Sequence, residues 1–210
     1  SMVDDEQIVA RSRRMEQIRR EMLAASGFAS HCDEKRPVFG EGSLAADLVL
    51  IGEAPGGREE RLGHPFVGPA GQVLTEALAL AGIDRDELWI TNVVKCRPTM
   101  EGVGGRLRNR TPTPAEVEWF RPWLLRELDV IDPRAIVCLG ATAGSAVLQR
   151  TLRITRERGI WFDGPNGLPT LVTYHPAYLL RRTQDRDDRF SEFIDDLRTA
   201  GERAAVVSSE

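Results

Sequence analysis

The chain has 210 residues, 41% of them hydrophobic, and a formal net charge of -4, long enough for one compact domain with a sizeable core. No apolar run approaches a membrane span and no signal-peptide pattern is visible. The acidic balance does not by itself suggest a nucleic-acid binder, although it leaves local fields open. Three widely spaced cysteines, Cys32, Cys96 and Cys138, suit a reducing cytoplasm and argue against a disulfide scaffold. Ser1 before Met2 reads as a cloning scar, which leaves a single domain over residues 2–210.

Residues 4–26 read as a helix, because Ile8, Met15, Ile18, Met22 and Leu23 recur at roughly helical spacing. A polar stretch with Gly and Pro follows. Four β-rich runs come next, at 47–52, 88–96, 135–140 and 170–175. Helical patterns at about 69–81, 114–130 and 141–150 separate them, and a last helix covers about 187–203. Strands alternating with helices, and apolar on both faces, predict an α/β fold. The expected architecture is a three-layer α/β/α sandwich around a central, mainly parallel four-stranded sheet. The Gly/Arg-rich stretch 100–110, "MEGVGGRLRNR", reads as one long mobile surface loop.

Ligands of such sheets bind beyond the carboxyl ends of the strands. Three runs end there in unusual chemistry: "GEAPGG" from Gly52, "TNVVKCRP" around Asn92 and "YHPAYLLRR" around His175. The third run ends in "GATAG", which reads as a plain tight turn. "GEAPGG" lacks the Lys-Ser/Thr pair of a phosphate loop, and fits a tight strand–helix connection as well as a ligand-lined turn. Asn92 is either a structural amide or a paired donor and acceptor for a base edge. His31 and His64 have no metal-ligand spacing to His175, and no Cys-x-x-Cys, His-Glu-x-x-His or Gly-x-Ser-x-Gly pattern occurs. The arginines at 106, 108, 110, 181 and 182 read singly as solvated surface.

Taken in order, "VFGEG" (38–42), "GEAPG" (52–56), "HPFVGPAG" (64–71), "TNVVKCRP" (91–98), "NRTPTP" (109–114), "RPWL" (121–124), "LGATA" (139–143) and "HPAYLLR" (175–181) resemble the uracil-DNA glycosylase superfamily, most closely its family 4. The resemblance implies a cytoplasmic, monomeric DNA repair enzyme that flips uracil out of single- or double-stranded DNA and hydrolyses its N-glycosidic bond, leaving an abasic site. The alternative is a slow or non-catalytic binder of uracil or abasic-site DNA. The implied base pocket is Gly52, Ala54, Phe66 for stacking and Asn92 for reading the pyrimidine edge. The implied catalytic residues are His175, donating to uracil O2, with Glu53, whose turn crowds C5, and Glu59, which orients water or stabilises the cation. Ala54 stands where the best-known family has a catalytic aspartate. DNA contact falls to Arg106, Arg108, Arg110, Arg181 and Arg182 on phosphates, and to Tyr178, Leu179 or Leu180 as a wedge.

Two departures stand out. Family 4 carries a four-iron, four-sulfur cluster on four cysteines. Here Cys96 matches one, while Ala25, Phe28 and Phe120 occupy the other positions. The expectation is therefore no cofactor, with apolar packing around Phe28 and Phe120 in its place. The segment 99–108 is an insertion; a covalent DNA-trapping relative uses a histidine there, and this insertion has none.

Overall fold

A computed structural model of the protein describes residues 3–180 and 184–208. In chain order its elements are α1 (Asp5–Ala24), α2 (Phe28–Cys32), β1 (Glu41–Gly42), β2 (Leu48–Gly52), α3 (Gly57–Leu62), α4 (Pro69–Leu80), β3 (Trp89–Asn92), β4 (Thr99–Glu101), β5 (Leu107–Asn109), α5 (Pro114–Ile131), β6 (Ala135–Leu139), α6 (Ala141–Leu148), α7 (Ile154–Glu157), β7 (Trp161–Asp163), β8 (Pro169–Thr173) and α8 (Gln184–Arg203). Helices start where the local chemistry requires. Asp4 caps α1 through a reciprocal bond with Gln7, and Thr113 caps α5 with Glu116.

Among the described residues the main sheet has six strands in the order β1-β3-β2-β6-β8-β7. The inner four, β3, β2, β6 and β8, are parallel and correspond to the four predicted runs. The two outer strands are antiparallel additions of two and three residues, too short to show a hydrophobic period. The second run is also shorter than expected. It stops as a strand at Asn92, because the buried Val93 and Val94 continue the core without continuing the sheet.

Alternation along β2 sorts the core into two layers. Val49 and Ile51 face Met15, Ile18 and Met22 of α1 and Phe120, Leu124 and Leu128 of α5. Leu48 and Leu50 face Leu74 and Leu78 of α4 and Phe193 and Leu197 of α8. Each large side chain buried in this way contributes about 1.5–3 kcal/mol. All four inner strands therefore run fully covered, and their carboxyl ends line up at one edge.

Two further expectations are corrected. The insertion is a β-hairpin, with Thr99 paired to Asn109, Met100 to Arg108 and Glu101 to Leu107. Its glycines sit at the turn, where Gly104 and Gly105 have positive φ, so they shape a connection rather than loosen the whole segment. Second, Cys32 and Cys96 form a disulfide across 64 residues, with Cα atoms 5.5 Å apart. The odd cysteine count concealed it, because only the fold brings α2 against the segment after β3. Closing a loop of this length stabilises by up to about 4 kcal/mol. Replacing Cys32 with Ser should lower the thermal midpoint by up to about 10 °C. Thiol titration of the denatured, unreduced protein should find one thiol, that of the buried Cys138.

Candidate active site

The ends of β2, β3 and β8 surround a cavity of about 360 Å³. In-register pairing sets Gly52 opposite Asn92. A side chain at Gly52 would collide with the Asn92 carboxamide and the Phe66 ring, so glycine is required there. Glu53, Ala54, Phe66, Asn92 and His175 all line the cavity, as do Asn109 and Arg110.

Phe66 is held in an uncommon backbone state, with φ at 51°. Its segment is gripped from both sides. Arg85 donates to the carbonyls of Pro65 and Phe66, each at 3.1 Å. Glu59 accepts from the amides of Val67 and Gly68 at 2.9 and 2.7 Å with one oxygen, and from Gly56 at 3.2 Å with the other. Glu59 thus ties the "GEAPG" turn to the "HPFVG" turn. Those backbone bonds fix the carboxylate on the cavity wall, which Glu59 also lines, and leave it further acceptor positions.

Asn92 is 3% exposed, and its Oδ1 is buried with no hydrogen-bond partner among the described residues. Such a group costs about 1–3 kcal/mol if left unpaired, and here it belongs to a side chain on the cavity wall. His175 caps the short turn Pro176–Leu179, its Nδ1 accepting from the Ala177 amide at 3.0 Å. That bond places the proton of the neutral ring on Nε2. Burial lowers the His175 pKa below its ordinary 6.5, so the neutral form holds at neutral pH. Burial raises the pKa of Glu53, opposed by a hydrogen bond to Thr142. Thr142 lies in the first turn of α6, directly after β6, in the stretch that the sequence marked as a plain turn; only its place in "LGATA" signalled it.

The remaining expected residues divide. Arg106 and Arg108 are exposed on the hairpin. Arg110 is not free for phosphate: its guanidinium makes a two-pronged pair with Glu116, at 2.6 and 3.1 Å. Burial pushes the Glu116 carboxyl up, but the bonds from Arg110 and Thr113 prevail and hold its pKa at about 2. Leu179 is fully buried and is no wedge, whereas Tyr178 and Leu180 are 72% and 46% exposed. Arg181 and Arg182 lie outside the described residues. His64 turns away to Glu41, 2.7 Å from its carboxylate.

A family model for the uracil DNA glycosylase superfamily matches residues 39–198. The chain belongs to this superfamily. It is 43% identical over 152 residues to the type-4 uracil-DNA glycosylase of Thermotoga maritima, covering 72% of this chain and 75% of that one. It is 37% identical over 186 residues to the type-4 enzyme of Archaeoglobus fulgidus, covering 85% and 89%. Among solved structures, SMUG2 of Pedobacter heparinus aligns with a TM-score of 0.52 at 14% identity, over 75% of this chain and 76% of that one, and supports the fold.

A cluster of the kind carried by family 4 does not fit the residues present. Cys96 is bonded to Cys32, and Phe120 is fully buried where a ligand would stand. Phe28 and Phe120 both pack around Trp119, with ring centroids 6.2 and 4.9 Å away. Cys138 is buried in β6, and among the described residues no group of three or more His, Cys, Asp or Glu side chains is placed to hold a metal.

Replacing Glu59 with Ala removes three charge-assisted bonds to backbone amides at once. It should destabilise the fold by about 2–4 kcal/mol and weaken substrate binding through displacement of Phe66. Thermal melts and KM measured on the same preparation check this.

Proposed function

We propose that this protein is a uracil-DNA glycosylase that works without a metal cluster, as a monomer, and leaves abasic-site DNA as product. The observation that carries the reading is the buried, unpaired Asn92 Oδ1 on a cavity wall shared with the Phe66 ring and His175. A flipped uracil stacks on Phe66. Its N3–H donates to Asn92 Oδ1, and its O4 accepts from the Asn92 amide nitrogen. Cytosine presents the opposite pattern and leaves buried groups unpaired, which rejects it strongly.

As the glycosidic bond breaks, negative charge gathers on uracil O2 and positive charge on the sugar. The Nε2–H of His175 donates to O2, as a preorganised donor rather than a titrating acid. The Glu59 carboxylate, fixed on the cavity wall by the Gly56, Val67 and Gly68 amides, orients the water that adds to C1′, and the Glu53 turn crowds C5 of the base. Water supplies hydroxide to the sugar, its remaining proton neutralises the departing base, and no redox partner is needed.

The hairpin extends this site toward DNA. Its root residues Asn109 and Arg110 line the cavity, and its outer part exposes Arg106, Arg108 and the apolar Val103, 98% exposed at the turn. We assign the two arginines to phosphates, and the Tyr178 and Leu180 side chains to the space left by the flipped base.

The direct test is incubation with a uracil-containing oligonucleotide, which should yield an alkali-labile site. His175→Ala should lose about 10²–10³-fold in single turnover, and Asn92→Asp should lose both binding and turnover on uracil. Release of no uracil by the wild-type protein would leave only the binding reading. Changing Arg106 and Arg108 together to Ala should flatten the salt dependence of DNA binding by roughly 0.9 per lost phosphate contact, with the saturated rate unchanged. An unaltered slope would make the hairpin inert.

A further inference from the structure

A buried ion pair lies directly behind Asn92. Lys95 Nζ donates to Thr91 Oγ1 and Glu127 Oε2, each at 2.8 Å, and to the main-chain oxygen of Asn92. Those bonds use all three ammonium protons. The other Glu127 oxygen accepts from Trp89 Nε1 at 2.9 Å. The two charged side chains are 3% and 5% exposed. Buried pairs of this sort often stabilise no better than apolar groups of the same shape. A network gathered around one peptide therefore points to a role besides cohesion.

We propose that Lys95 and Glu127 form a positioning pair for Asn92, fixing the angle at which its carboxamide meets the base and thereby setting base selectivity. This rests on the assignment of Asn92 as the base reader. The sheet leaves the position incompletely determined. β2 holds one side, through Gly52 and the Val93 amide. On the other side β1 reaches only Trp89 and Ile90. The Asn92 carbonyl, at the last residue of the strand, takes its hydrogen bond from the Lys95 ammonium instead of from a neighbouring strand. Glu127 anchors that ammonium to α5, the helix whose first turn also holds Arg110 at the cavity rim through Glu116. One rigid helix thus sets both the wall and the rim of the pocket.

The test compares the full-length wild type with Lys95→Met, with the charge-free double variant Lys95→Met/Glu127→Leu, and with Asn92→Ala. Three quantities are read: inhibition by free uracil, the ratio of uracil to cytosine excision, and affinity for abasic-site duplex, which offers no base. In the folded lysine variants inhibition by uracil and the excision ratio should each fall by about tenfold, the equivalent of one net hydrogen bond, while abasic-site affinity stays within about twofold of wild type. If Lys95→Met does not fold, the double variant carries the test, since it leaves no unpaired buried charge. Wild-type selectivity and uracil inhibition in a folded double variant would overturn the proposal. So would a parallel fall in uracil and abasic-site binding, which marks a general loss of structure. If the lysine variants weaken uracil inhibition but Asn92→Ala does not, the assignment of Asn92 fails, and that outcome is distinct from a failure of the pair.

Discussion

The pocket depends on the pairing of Gly52 with Asn92 across the ends of two parallel strands. Parallel strands reach the same edge of a sheet together, so the last residue of each can face a common space. Because Gly52 has no side chain, the Asn92 carboxamide and the Phe66 ring can close over it from two directions. A methyl group there would drive both apart. A shift of one residue in this register would turn Asn92 to the opposite face of the sheet. The covered inner strands, buried on both faces, make such a shift costly.

Around that pairing, much of the charge near the cavity holds backbone in place. Glu59 gathers three amides, Arg85 gathers two carbonyls, and Arg110 joins the hairpin root to the start of α5. Long loops must satisfy their own polar groups when they line a cavity, and these side chains do so without filling it. Among the groups that face the cavity are the Asn92 carboxamide and the imidazole of His175, with Glu53 beside them. Such a division suits catalysis by preorganisation, in which donors and acceptors are fixed before the substrate arrives.

The N-terminal region is secured by a different route from the one that the family resemblance implies. Four cysteine thiolates around a cluster would tie α1 and α2 to the segment after β3 and to α5. Here the same elements meet through Phe28, Trp119 and Phe120 and through the Cys32–Cys96 bond. The bonded Cys96 stands four residues after Asn92, with Lys95 between them. Anchoring of the N-terminal helices and placement of the base reader therefore share one short stretch of chain.

The sequence by itself determined the inner sheet, the long helices and the identity of the pocket residues. Hydrophobic period is a local property, and the ordered motifs carry Gly52, Glu53, Phe66, Asn92 and His175 at fixed places in the chain. Only the tertiary structure decided which polar groups are occupied. No local pattern shows what Glu59 and Arg110 bond to, yet each is engaged by partners that chain folding brings to it. Leu179 and Leu180 are neighbours of the same type, and the turn after His175 buries one and exposes the other. Cys32 and Cys96 stand 64 residues apart, and no local pattern records that they touch. Hydrogen-bond saturation, burial and crosslinking are properties of pairs distant in sequence. They exist only once the sheet has set its register and the helices have packed against it.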